Sequence, residues 1–389
     1  MERHIVFRMI ACVAICLLAA PCLAQSSGMI GPELRQWVEN PAQGLEALRE
    51  GRIADCPKPP EAKAKAAPVA PAPTVSDKAV EITFVDPGME VAVRNYLGRP
   101  TGPITDEDCL YIGYIHADGL GIQTLVDLQY MPNLYELSLS KNGLTSLSDL
   151  PPLYNLRRLD ISNNRITSLA ILIITPWLEY LNANENQITT LTGMPFLRDL
   201  GYLLLNGNRI SSLEGMPQLP QLWKLDLGRN DLSTLAGITP TDNLCYFNLS
   251  RNHLSSLNGM PRYDRIYTLD ISHNQLETAA GLYLTAPVEY LYASHNRFAS
   301  PGILGQLDHV RELDLSANEL TNLDGASYSN DMMRLDLSGN HLSSLEGIGN
   351  YPLISKLNAS RNCLKSLGAL AGTEGLTSLY LAGNGLTSL

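Results

Sequence analysis

The sequence predicts an α/β-type repeat solenoid. Short coils of fixed length stack into a right-handed superhelix. A concave parallel β-sheet lies on one side, a 3₁₀ or extended arc on the other, and a helical cap covers the first coil. Three observations predict it. Asparagine recurs in strict register, at Asn142, Asn164, Asn186, Asn208, Asn230, Asn252, Asn274, Asn296, Asn318, Asn340, Asn362 and Asn384, every step being 22 residues. Leucine supplies 66 of the 389 residues, against five Phe and three Trp, and a core built from one residue type marks a repeat array rather than a globular enzyme. Around each Asn the apolar slots keep one frame, which in the first copy holds Leu137, Leu139, Leu144, Leu147, Leu150, Leu153 and Leu156.

Each slot has a physical reading. Leu137 and Leu139 stand two apart, so they share the inward face of a short strand, and their neighbours point outward. The Asn follows where the chain turns off the strand. Backbone groups buried there need partners, and an amide side chain both donates and accepts. The later leucines recur every third residue, which suits a tight 3₁₀-like or extended return arc rather than a long helix. Stacked coils pair their strands in parallel at about 4.8 Å. The pattern L-x-L-x-x-N-x-L, repeated at this period, is the leucine-rich-repeat signature.

Ahead of the repeats the composition changes. Residues 1–24 have the three parts of a secretory signal: Arg3 and Arg8, then the apolar stretch Ile10 to Ala20, then Cys22-Leu23-Ala24 with cleavage before Gln25. That stretch is shorter than the roughly 20 residues a bilayer span needs. An uncleaved anchor is the alternative reading. Residues 25–56 form a short polar segment, and 57–79 a Pro/Ala/Lys-rich linker that has too little apolar content to build a core. Cys12, Cys16 and Cys22 leave with the signal. The remaining Cys56, Cys109, Cys245 and Cys363 match no zinc or redox spacing, and no disulfide scaffold is expected.

Residues 80–114 read as the cap. Asp86 and Pro87 are an N-cap and first helical residue, Met89, Val93, Tyr96 and Leu97 form an apolar stripe, and Gly98 closes the helix. Thr105 starts a second short helix. The repeats then run over 115–389. One degenerate coil carries Ile115, Ile122, Leu125 and Leu128 in the leucine slots and Leu120 at the ladder position. Twelve coils of period 22 follow, the last incomplete as the sequence stands. An open last edge is expected to be an aggregation or interaction liability.

The phrase L-x-G-M-P (Leu213 to Pro217 and Leu257 to Pro261), the stretch F-x-D-P-x-x-E-x-x-V-R-x-x-L-G (Phe84 to Gly98) and I-T-x-x-D (Ile104 to Asp108) resemble the internalin class of bacterial leucine-rich-repeat proteins. The resemblance covers residues 80–389. It implies a solenoid with a helical cap. In the members that are adhesins it implies a concave sheet that binds host receptors. The sequence departs from those adhesins in showing neither a cell-wall sorting motif nor an immunoglobulin-like domain after the repeats.

Chemistry is sparse. The net charge of −11 argues against a nucleic-acid-binding domain. No nucleophile elbow, H-E-x-x-H, P-loop or paired-Cys motif occurs, so no catalytic residues, cofactor or metal site are assigned and an enzyme is disfavoured. Asp160, Asp226, Asp270, Asp314 and Asp336 share one outward strand slot, most simply as the ordinary wording of the repeat. Arg229, Arg251, His273 and His295 share the slot before the ladder Asn in consecutive coils and define a basic rim, joined by Arg209, His253 and Arg297. Tyr180, Tyr202, Tyr246 and Tyr290 occupy the first outward strand slot, interrupted by Lys224 and Thr268, with Tyr292 and Leu204 beside them. Tyrosine gives large rigid area with a polar tip, the property of interface hot spots.

The reading is therefore an exported bacterial protein, periplasmic, cell-surface or secreted. It binds another macromolecule through the concave sheet, a protein first and a glycan as the other possibility. Nucleic acid is not expected, nor a transmembrane segment once the signal is removed. A structural or envelope-associated scaffold without one tight partner is the alternative.

Overall fold

The computed structural model describes residues 79–282, 288–305, 307–371 and 373–387. The signal segment, the polar segment with Cys56, and the linker up to residue 78 lie outside the described residues.

The chain enters through a helical cap. Helix α1 (Pro87–Leu97) starts on Asp86, whose carboxylate accepts hydrogen bonds from the Gly88 and Met89 amides at 2.9 and 3.2 Å. It ends on Gly98, left-handed at φ 63°. Helix α2 (Asp106–Leu110) starts on a capping box between Thr105 and Asp108. Arg99 pairs with Asp108. Burial acts against the ionised Asp108 carboxyl, but Arg99 and the Thr105 hydrogen bonds outweigh it and hold the pKa below the usual value. Met89, Val93, Cys109 and Ile112 sit fully inside.

Two carboxylates that the repeat frame gave no reason to single out lock this cap to the first coil. Asp127 is fully buried and accepts from the Val85 and Asp86 amides. The second oxygen of Asp86 accepts from the Gln123 and Thr124 amides at 2.7 and 3.1 Å. Four backbone donors that the cap would otherwise bury unpaired are thereby satisfied.

Thirteen three-residue strands follow, from β1 (Tyr114–His116) to β13 (Ser378–Tyr380), in one parallel sheet whose spatial order is the chain order. Each strand residue pairs with the one 22 positions on, as in Leu203↔Leu225 and Leu225↔Phe247. The middle residue of each strand faces in. From Ile115 to Leu357 these residues form one continuous leucine-rich core with the arc leucines. Each buried Leu is worth about 1.5–3 kcal/mol of transfer free energy. Short 3₁₀ turns, such as Ala170–Ile174 and Ile348–Asn350, complete the return arc.

The ladder asparagines stitch the coils together. The Asn252 amide donates to the carbonyls of Leu249 in its own coil and Leu227 in the coil before, at 3.0 and 2.9 Å, while its oxygen accepts from the Leu232 amide at 3.0 Å. The same bonds recur from Asn164 to Asn362, which are all buried.

Cys109 and Cys363 are free thiols, and burial pushes the Cys109 thiol up to about 11.

Candidate binding face

The residues flanking each inward leucine form the concave surface. Strands β4 (Tyr180–Asn182), β5 (Tyr202–Leu204), β6 (Lys224–Asp226), β7 (Tyr246–Asn248), β8 (Thr268–Asp270) and β9 (Tyr290–Tyr292) carry the predicted tyrosine row. Register places Tyr180 directly beside Tyr202, Lys224 beside Tyr246, and Thr268 between Tyr246 and Tyr290.

The aromatic array is longer than the tyrosine slot alone suggests. Tyr180 and Tyr202 are 5.7 Å apart between centroids, and Tyr202 lies 5.3 Å from Trp223. The Arg158 guanidinium sits 4.4 Å over the Tyr180 ring and the Lys224 ammonium 4.3 Å over Tyr246. Lys224 thus joins the row that it breaks in sequence, because a cation over a π-face is attracted to it. Further along, Tyr267 packs 5.3 Å from Tyr290. Trp223 and Tyr267 occupy the slot just before the tyrosine slot, also at 22-residue steps, and Arg157, Glu179, Glu289 and Arg311 share it. Arg157 pairs with Glu179 at 3.4 Å and Arg311 with Glu289 at 3.0 Å. Reading that slot down the frame would have found these residues.

Burial changes the expected membership. Tyr180, Tyr202, Tyr246 and Tyr290 are half-buried, with one face available. Leu204 is half-buried, not exposed. Tyr292 is buried, together with its outward neighbours Asn248, Thr268 and Asp270, all between 7% and 9% exposed. Large neighbours on a concave surface close over small ones, which alternation along a single strand does not reveal. Burial pushes the Tyr202 hydroxyl above its usual pKa against the pull of Arg158. Tyr267 is pushed well above its usual value, chiefly by burial and further by Tyr290 and Glu289.

The aspartates of the second outward slot cap turns. Asp160, Asp226, Asp270, Asp314 and Asp336 each accept from the backbone amide two residues on, at 2.8–3.0 Å. Neighbouring amides add to this: Asn182 donates to Asp160 and Asn248 to Asp226 at 2.8 and 2.9 Å. Burial raises the pKa of Asp226 and of Asp314 despite these bonds. Among the described residues, no group of three or more His, Cys, Asp or Glu is placed to hold a metal ion.

The basic rim lies where the strands turn into the arc. Arg229, Arg251, His273 and His295 all have positive φ, 52–55°. The equivalent residue is left-handed in every coil and is glycine at Gly119, Gly207, Gly339 and Gly383. A side chain there costs about 1–2 kcal/mol that glycine avoids. The His273 and His295 rings stack at 4.0 Å with planes 10° apart. Arg229 pairs with Glu185 at 2.6 Å. The Tyr row and this rim are separate surfaces, on the strands and at their turns.

The strand, ladder asparagine and leucine-lined arc define a leucine-rich-repeat solenoid. A family model of leucine-rich repeats, in two copies, matches residues 154–199. No curated protein matches the sequence. Among solved structures, the fold is similar to internalin InlF from Listeria monocytogenes, with 20% identity over 78% of this chain and 91% of that one, at a TM-score of 0.57. The functional domain of InlJ from the same organism gives 20% identity over 79% and 71%, at a TM-score of 0.59. The LRIM1/APL1C complex gives 21% identity over 69% and 52%, at 0.57. The fold is thus internalin-like, as the cap and the 22-residue period indicate. No helix among the described residues is long and apolar enough to cross a membrane.

Proposed function

We propose that this chain is an exported, non-catalytic protein that binds another protein through its concave sheet. The observation that carries the reading is the row of half-buried rings Tyr180, Tyr202 and Tyr246, with Arg158 over the first and Lys224 over the last and the buried Trp223 packed against Tyr202. Rigid aromatic area loses little conformational entropy on binding, and interface hot spots concentrate in Tyr, Trp and Arg. A structural neighbour, LRIM1/APL1C, was solved as a complex. The leader read in residues 1–24 supports export.

The test is capture of a partner from surface or secreted fractions with full-length protein and with Tyr246→Ala. Loss of a hot-spot side chain costs about 2 kcal/mol or more, roughly thirtyfold in affinity. Leu249→Ala, which hollows the core beside Tyr246, is the folding control and loses about 2–5 kcal/mol of stability. If Tyr246→Ala keeps its partner but loses stability as Leu249→Ala does, the row is packing and the reading fails.

A further inference from the structure

The rim carries more charge of one sign than packing requires. Either side of the buried ladder asparagines stand Arg209, Arg229, Arg251 and Arg297, all exposed, with the stacked His273 and His295 between them. Consecutive coils set the groups of one slot about 4.8 Å apart. Carboxylates answer some of them: Glu185 reaches Arg229 at 2.6 Å, Asp231 reaches the rim's His253 at 3.7 Å and Glu277 reaches Arg297 at 3.8 Å, while Arg209 and Arg251 form no ion pair among the described residues. The chain as a whole carries −11. A cationic edge on such a protein is a local attractor for anions and the rest of its surface repels them.

The spacing points to the kind of ligand. Arg229 and Arg251 hold one slot of adjacent coils and His273 and His295 continue it. Cations set at the coil pitch fit a polymer with a charge on each repeating unit, and Arg pairs carboxylate or sulfate oxygens bidentately.

We propose that this rim binds an anionic polysaccharide, carboxylated or sulfated, independently of the concave tyrosine row. Single-stranded nucleic acid fits less well, because its recognition combines cations with stacking aromatic rings, and among the residues of this rim the only rings are imidazoles.

Full-length protein would be titrated at low ionic strength with heparin as the sulfated probe, polygalacturonate as the carboxylated one, and oligo(dT) as the nucleic-acid control. One polysaccharide is expected to bind, with affinity falling steeply as salt rises. Arg229→Asn/Arg251→Asn should weaken it at least about tenfold with an unchanged circular dichroism spectrum, since Asn163 already occupies the equivalent position in another coil. Tyr246→Ala should bind the polymer as the parent does. Should the double variant unfold, Arg209→Gln, off the left-handed position, is expected to lower affinity. The proposal is overturned if neither polysaccharide binds, if oligo(dT) binds as tightly, or if folded charge variants bind like the parent. Loss in Tyr246→Ala alone would move the site to the concave face and equally overturn it.

Discussion

Replacing one ladder asparagine tests how the coils are joined. In Asn252→Ala the Leu227 and Leu249 carbonyls each lose a donor. Neither is left bare, because Asn230 also donates to Leu227 at 3.1 Å and Asn274 to Leu249 at 3.0 Å. The Leu232 amide is different. Its hydrogen bond, 3.0 Å to the Asn252 side-chain oxygen, crosses between coils in a buried site. One orphaned buried donor costs about 1–3 kcal/mol, and each lost secondary bond about 0.5–1.5 kcal/mol. The expected destabilisation is therefore about 2–6 kcal/mol, with the orphaned Leu232 amide the largest single part.

Asn384→Ala provides the comparison. That residue is only half-buried and water can replace its bonds, so a loss of about 1 kcal/mol or less is expected. Guanidinium unfolding would give the two stabilities, and hydrogen exchange would follow the Leu232 amide. Equal effects at the two positions, or a Leu232 amide as protected as in the parent, would refute the reasoning that each asparagine acts through the donor it satisfies in the neighbouring coil.

Two other perturbations follow from the same geometry. Gly237 has φ 88°, and an added Cβ would lie 2.5 Å from the Glu214 amide nitrogen, whereas Gly98 at φ 63° has open space around it. Gly98→Ala should cost about 1–2 kcal/mol and Gly237→Ala clearly more, read as the drop in Tm. For pH, the raised Asp226 pKa means the folded state holds a proton the unfolded chain releases near pH 4. The destabilising contribution is absent below that value and grows as pH rises through the folded pKa, so stability falls there. Asp226→Asn, which keeps an acceptor for the Gly228 amide, should remove this decline, and parallel parent and variant curves from pH 3 to 7 would exclude it.

The repeat was legible because one physical constraint acts thirteen times. Each coil must return to the same sheet register after 22 residues, so a buried slot recurs until the pattern cannot be missed. The caps were legible for a related reason: Asp86-Pro87, Gly98 and Thr105 do their work through local backbone geometry. Asp127 was not, since its partners Val85 and Asp86 lie some 40 residues away and no period connects them. For the candidate face, the outward positions of the tyrosine row were legible and their exposure was not. Alternation separates inward from outward, but whether an outward residue is open depends on its neighbours in adjacent coils. Tyr292, Thr268 and Trp223 are closed over, while Lys224 joins the aromatic array from a position where the tyrosine row showed a gap.

That distinction bears on how such a protein acquires a partner. The inward slots and the ladder position leave almost no freedom, since a lost leucine or asparagine is paid in several kcal/mol. The outward slots are different. Tyr, Lys, Thr, Arg and Glu share one register position across neighbouring coils without disturbing the leucines behind them. A surface row can therefore be rewritten residue by residue on a fixed scaffold, at the pitch the sheet imposes. The tyrosine row and the arginine rim are two such rows, on strands and on turns. Variants in one should leave the other's binding intact, because the two rows occupy different slots of each coil and share no residue.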